Sequence, residues 1–158
     1  MRKKSADLTA YQQALGLLVR REYSRRELKR KLKERGKELD EIDLALDHLS
    51  RQDFQNDERF AFALARSRQS VGYGPQRIRA ELYQHSLESE CIDQAISALN
   101  CDWLELAQDL VARRYLRKIQ QDPYQSRKAV EFLLRRGFDQ KTAYQAVKIR
   151  EWPESLSI

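Results

Sequence analysis

A chain of 158 residues and 18.7 kDa is long enough for one ordinary domain or a short row of small units, and too short for a large multidomain enzyme. With 21 Leu and 15 Ala against 5 Val, 7 Ile and 2 Thr, and only 5 Gly and 3 Pro, its composition is that of an all-α protein. Thirty Lys and Arg against 24 Asp and Glu leave a net charge of +6, which favours a polyanion or an acidic protein surface as partner. Cys91 and Cys101 are too few for a disulfide framework and stand at no zinc-finger spacing from His48 and His85, so a reducing cytoplasm is expected. No apolar run approaches the roughly 18 residues of a membrane span. The opening Met1 to Ser5 leads into a polar helix rather than the apolar core of a signal peptide.

The chain repeats itself. A shift of 50 places Tyr23 on Tyr73, Leu28 on Ile78, Leu32 on Leu82, Ile42 on Ile92, Ala45 on Ala95 and Leu49 on Leu99 without a gap. A shift of 101 places Tyr23 on Tyr124, Arg26 on Arg127, Leu32 on Leu133, Gly36 on Gly137 and Ala45 on Ala146. Three three-helix repeats are therefore expected, over 1–50, 51–100 and 101–150, followed by a tail at 151–158. Units so poor in apolar residues must lean on one another, which predicts an elongated, curved array.

In the first repeat, Tyr11, Ala14, Leu15, Leu18 and Val19 recur at helical spacing. Ser24 with Glu27 reads as a capping box that starts a second helix near residue 25, carried by Leu28 and Leu32 and closed by Gly36. Ile42, Ala45, Leu46 and Leu49 carry the third. In the second repeat, Asp57 reads as the N-cap of a helix with Phe60, Ala61 and Leu64 on its apolar face. Gly74-Pro75 begins the next helix, proline suiting a first turn whose N–H has no partner, and Ser86 stands where the other repeats have glycine. Trp103, Leu106, Ala107, Leu110 and Val111 open the third repeat, Asp122-Pro123 starts its second helix and Gly137 closes it. Ala129 and Ala143 predict a thin core there.

Charge falls on particular helices. From Arg20 to Lys37 ten basic residues face three glutamates, and the following helix carries Glu38, Asp40, Glu41, Asp43 and Asp47. At about 100° per residue, Arg25, Arg26, Lys29, Arg30 and Lys33 form one continuous basic strip beside Leu28. Counterparts occur at Arg66, Arg68, Arg77 and Arg79, at Arg113, Arg114, Arg117 and Lys118, and at Arg127, Lys128, Arg135 and Arg136. Any one arginine is ordinary solvated surface, whereas recurrence in each repeat favours a binding face for phosphates or an acidic partner.

The catalytic inventory is thin. Neither His48 nor His85 has a nucleophile or carboxylate at triad or ligand spacing, and both are expected at the surface. Cys91 reads as packing. Gly72-Tyr73-Gly74-Pro75 lacks the strand, third glycine and lysine of a phosphate loop and reads as a turn. Tyr73, Tyr83, Tyr115 and Tyr124 suit either base stacking or the core. No enzyme activity, cofactor or metal is expected.

The run Asp57-Glu58-Arg59-Phe60-Ala61, followed by Ser67 to Leu82 with Gly72-Tyr73-Gly74-Pro75-Gln76-Arg77-Ile78, resembles the central signature of the RecX family of bacterial recombination regulators. Ser24 to Leu28 with Leu32 resembles that family's first unit, and Lys128 to Phe138 its third. The resemblance covers nearly the whole chain. It implies three tandem three-helix repeats without enzymatic activity, which bind along the groove of the RecA recombinase filament on DNA and restrain ATP hydrolysis and strand exchange. It carries Asp57, Phe60, Gly74, Arg77, Ile78 and Leu82 over as signature positions, mainly structural apart from the exposed Arg77. A monomer is expected, with weak, salt-dependent binding to single- or double-stranded DNA alone. A tandem helix-turn-helix DNA-binding protein is the alternative, disfavoured because its reading helices would be the acidic third ones.

Overall fold

Leucine and alanine at three- and four-residue spacing, punctuated by Ser, Pro and Gly, produce helices throughout. A computed structural model describes residues 8–148; Met1 to Ser5, the last two residues of the third repeat and the tail at 151–158 lie outside them. Among the described residues there are nine α-helices and no strand: α1 (Ala10–Leu18), α2 (Arg25–Glu34), α3 (Leu39–Arg51), α4 (Asp57–Ser70), α5 (Pro75–Tyr83), α6 (Ser89–Ser97), α7 (Trp103–Gln121), α8 (Gln125–Arg135) and α9 (Gln140–Val147). They divide into two compact units, one holding 8–64 and 81–95, the other 65–80 and 96–148.

In the first unit α1, α2 and α3 pack on one another around Ala10, Ala14, Leu17, Tyr23, Leu28, Leu32, Ile42, Ala45, Leu46 and Leu49. The four apolar positions expected on α3 are all buried, whereas Val19, expected on the apolar face of α1, is 80% exposed because at about 100° per residue it falls opposite the buried Ala10, Ala14 and Leu17. Only Leu28 and Leu32 of α2 are buried. Full burial of a leucine contributes about 2–3 kcal/mol, several times an exposed helical ion pair, so these two side chains hold α2 in place.

The start of α2 differs from the expected capping box. Ser24 does accept from the Glu27 N–H, at 3.1 Å, but the Glu27 carboxylate turns away to Arg21, at 2.7 Å. The Arg21 guanidinium, itself 3.6 Å from the centre of the Tyr23 ring, outcompetes the Ser24 N–H for that carboxylate. A full capping box forms instead at Thr9 and Gln12 on α1. Asp57 is also not the cap of its own helix. The side chain of Asn56 accepts from the Arg59 N–H at 3.0 Å, while the Asp57 carboxylate accepts from the Arg25 N–H at 2.9 Å and from Gln55 Nε2 at 2.9 Å. A negative charge thus sits against the positive end of α2, 32 residues away in sequence.

In the second unit α7, α8 and α9 pack on one another around Ala107, Val111, Tyr115, Ala129, Val130, Phe132, Leu133, Phe138, Ala143 and Ala146. The core thinned by Ala129 and Ala143 is filled by Tyr115, Phe132 and Phe138, with Trp103 packed against it. The Asp122-Pro123 start is displaced: α8 begins at Gln125, and Pro123 lies in a tight turn with Gln125 N–H bonded to the Asp122 carbonyl and Tyr124 N–H to its carboxylate.

The second helices of all three repeats stop on a left-handed residue: Gly36 at φ +80°, Ser86 at +57° and Gly137 at +93°. Serine takes the conformation in the middle repeat in spite of the steric cost. After Gly36 and Gly137 the chain makes the paired closing bonds of a Schellman turn, Lys37 N–H to Leu32 carbonyl and Phe138 N–H to Leu133 carbonyl, each 3.1 Å.

Candidate functional site

The basic strip of the first unit faces acids of its own unit. Arg25 pairs with Asp47 at 2.6 Å and Lys29 with Asp43 at 2.9 Å, linking α2 to α3, and Arg30 pairs with Glu34 at 3.0 Å along α2. The bond from Lys29 holds the Asp43 carboxyl below its ordinary value. Arg26 donates to the Ser86 hydroxyl, and Lys33 is exposed. Between 25 and 51 there are nine basic and seven acidic side chains, so the strip is one half of a mixed-charge face.

Beneath it lies a polar knot that sequence spacing did not reveal. His85, expected at the surface, is half-buried with its ring 4.6 Å from Phe60 and its Nδ1 2.7 Å from the Ser24 hydroxyl. Burial pulls its pKa below the ordinary value, with Arg26 acting in the same direction against Glu27, Glu81 and Asp57. A neutral ring lets the Ser24 hydroxyl donate to Nδ1 while its oxygen accepts the Glu27 N–H.

The second unit handles its cations differently. The turn before α5 and the turn after α8 meet backbone to backbone: the Gly74 N–H donates to the Arg136 carbonyl at 2.7 Å and the Gln76 N–H to the Gly137 carbonyl at 3.0 Å. The latter bond satisfies an N–H of the first turn of α5 that no helical carbonyl can reach. Neither glycine has room for a side chain, since a Cβ on Gly74 would come within 2.5 Å of the Gly137 carbonyl and one on Gly137 would meet the backbone and Cβ of Arg77.

That clasp brings Arg77, Arg135 and Arg136 together. The Arg77 and Arg136 guanidiniums lie 4.1 and 4.9 Å from the centre of the Tyr73 ring, and Arg77 reaches towards the Arg135 carbonyl at 3.5 Å. Arg136 donates to the Val71 carbonyl at 2.9 Å and lies 5.2 Å from the Phe132 ring, over which Arg114 of α7 also sits at 4.9 Å. Tyr115 packs against Phe132 at 5.5 Å and carries Lys118 at 5.3 Å. The contacts that hold Arg77, Arg114, Lys118 and Arg136 here are aromatic faces and backbone carbonyls. Arg114 and Lys118 belong here as one α7 face, a placement signalled by their i,i+4 spacing on either side of Tyr115.

The other expected positions are dispersed. Arg66 is exposed, and Arg68 and Arg79 are half-buried with partners of their own. Arg127 pairs with Glu131 at 3.6 Å and Lys128 is exposed, both near the opposite end of α8 from Arg135. Of the signature positions, Phe60, Ile78 and Leu82 are buried. Tyr115 is a core residue, whereas Tyr83 and Tyr124 are exposed. Among the described residues no group of three or more His, Cys, Asp or Glu is placed to hold a metal, and no helix is long and apolar enough to cross a membrane.

Comparison with known proteins gives a consistent result. Residues 10–49 match the family model for the first three-helix domain of RecX and residues 56–96 that for its second. Proteins called "Regulatory protein RecX" are similar over most of the chain. That of Xanthomonas axonopodis pv. citri (strain 306) is 49% identical over 137 residues, 87% of this chain and 85% of that one. That of Stenotrophomonas maltophilia (strain R551-3) is 46% identical over 147 residues, 93% of this chain and 90% of that one. The crystal structure of RecX from Lactobacillus salivarius superposes with a TM-score of 0.75 at 22% identity, covering 88% of this chain and 92% of that one. A second solved structure, of regulatory protein RecX, gives 0.74 at 24% identity, with 88% and 70% covered. At such identities the structural likeness speaks for the fold.

Proposed function

This chain belongs to the RecX family of regulatory proteins, and on that premise we propose that it is a non-enzymatic modulator, mainly an inhibitor, of the RecA recombinase. It lies in the groove of the RecA–DNA filament and restrains ATP hydrolysis, strand exchange and filament extension. The three repeats at 1–50, 51–100 and 101–150 act as serial contact units, so that one chain engages successive recombinase subunits and gains avidity from effective concentration.

The observation that carries this reading is the pair of RecX three-helix domains matched in series, in a chain similar to regulatory RecX proteins over most of its length. The mixed-charge α2–α3 face supports it. Exposed pairs such as Lys29–Asp43 contribute little to stability, and they suit a partner surface that offers both signs of charge. A tandem helix-turn-helix DNA-binding protein is the second reading; the acids Asp40, Glu41, Asp43 and Asp47 on α3 count against it, because the third helix would then face phosphates.

The deciding experiment is DNA-dependent ATP hydrolysis by recombinase filaments at fixed recombinase, titrated with this protein and accompanied by DNA binding without recombinase across a salt series. Inhibition well below one protein per recombinase, at salt where free DNA is hardly bound, is expected. Firm DNA binding with no inhibition would overturn the proposal and favour the helix-turn-helix reading.

A further inference from the structure

Segments 71–79, 111–121 and 132–137 contain eight basic residues and no acidic one, and the second unit gathers Arg77, Arg114, Lys118 and Arg136 from them around Tyr73, Phe132 and Tyr115. With centre distances of 4.1 and 4.9 Å over one ring, the Arg77 and Arg136 charges are at most about 9 Å apart. That is close to the roughly 8 Å Debye length at physiological ionic strength, so neighbouring cations repel one another with only partial screening. A bound polyanion relieves that repulsion.

We propose that this ladder of cations on aromatic rings is a binding site for the sugar–phosphate backbone of nucleic acid. The inference rests on the proposed function in that it divides the labour of a filament-binding protein, assigning the nucleic acid to the second unit. Three features favour a phosphate backbone over other partners. The guanidiniums are oriented in advance by the rings, which lowers the entropy lost on binding. Each guanidinium has five donors, of which Arg77 directs one in a long bond to the Arg135 carbonyl and Arg136 one to the Val71 carbonyl. The rings are already spoken for: Phe132 and Tyr115 are 7% and 9% exposed and Tyr73 is covered by two guanidiniums, so no base can stack on them as in single-strand binding proteins. Recognition through this ladder is therefore blind to base identity and equally open to single and double strands.

The test uses the full chain and a labelled mixed-sequence oligonucleotide, single-stranded and duplex, without recombinase over a salt series. Arg77→Gln/Arg114→Gln/Lys118→Gln leaves Arg136 and the clasp intact, and is expected to lower the slope of log affinity against log salt on duplex DNA by about two to three, at about 0.9 per lost phosphate contact. Arg35→Gln/Lys37→Gln/Lys141→Gln removes as much charge elsewhere and should leave the slope near that of the wild type. Arg77→Lys/Arg114→Lys, which keeps the charge, retains the slope and guards against misfolding of the triple variant. Inorganic polyphosphate should displace the oligonucleotide at lower charge concentration than polyglutamate. An unchanged slope in the ladder variant, an equal fall in the control, or equal competition by polyglutamate would overturn the proposal. Because no recombinase is present, this result is independent of the ATPase titration: filament inhibition with an unchanged slope removes the ladder alone, and a lost slope without wild-type inhibition removes the filament reading alone.

Discussion

The α2–α3 face and the ladder around Tyr73 are both rich in arginine and lysine, yet they are different surfaces. In the first, Arg25 and Lys29 meet Asp47 and Asp43 from the next helix, and the charge is largely neutralised where it arises. In the second, Arg77, Arg136, Arg114 and Lys118 are steadied by aromatic rings, and the segments that carry them hold no acid. A count of basic residues along the sequence ranks α2 as the strongest polyanion site. The phosphate site proposed above puts the ladder first instead.

The comparison breaks most severely through the glycines that shape the two regions. Gly36 and Gly137 hold the same place in their repeats, but a Cβ on Gly36 meets nothing within 4 Å whereas one on Gly137 strikes Arg77. Gly137→Ala is expected to destabilise the second unit by about 3 kcal/mol or more, through left-handed strain plus overpacking against backbone. Gly36→Ala should cost about 1 kcal/mol, the strain alone. Denaturant unfolding midpoints of the two variants check the difference, and equal losses would show that the clasp does not constrain Gly137.

A smaller effect sharpens the comparison from the other side. Asp43→Asn/Asp47→Asn removes the acids that hold Arg25 and Lys29 and should steepen the salt dependence of DNA binding, bringing the α2 face closer to the ladder in character. The thermal midpoint should hardly move, since both pairs are solvent-exposed. A slope identical to that of the wild type would mean that the α2 cations stay away from phosphates even when unmasked.

The smallest effect concerns His85. Its folded pKa lies below the unfolded value of about 6.5, so the neutral ring's contribution is fully present above that pH and is lost as pH falls through the folded value. Thermal midpoints recorded from pH 7.5 to about 5 should show a modest acid loss in the wild type that is reduced in His85→Gln. An identical pH dependence in both would place the sensitivity elsewhere.

Local chemistry was legible in the sequence and reach across the chain was not. Ser24, Pro75, Gly36 and Gly137 mark helix ends as expected, and even Ser86 occupies the left-handed position its alignment with glycine required. Asp57 and Glu27 were misplaced because each has a local partner at suitable spacing and prefers another, and His85, expected at the surface, has a partner that no local spacing signals. The Asp57 carboxylate finds Arg25, 32 residues earlier, and His85 finds Ser24, 61 residues earlier, distances at which helical periodicity carries no information. The cations of the candidate site were visible as residues. The acids that silence some and the rings that orient others became visible only through packing.

The clasp between Gly74 and Gly137 also sets an order of events during synthesis. Helices α1 to α3 find their partners within residues 10–51, so that bundle has all its parts soon after it leaves the ribosome. The start of α5 waits: the carbonyl that receives its Gln76 N–H belongs to a residue made 61 positions later. The ladder of cations has all its parts only once Arg136 has been made. A nascent chain halted after α6 would carry the mixed-charge α2–α3 face in finished form and the cations of α5 without the ring-and-guanidinium scaffold that orients them.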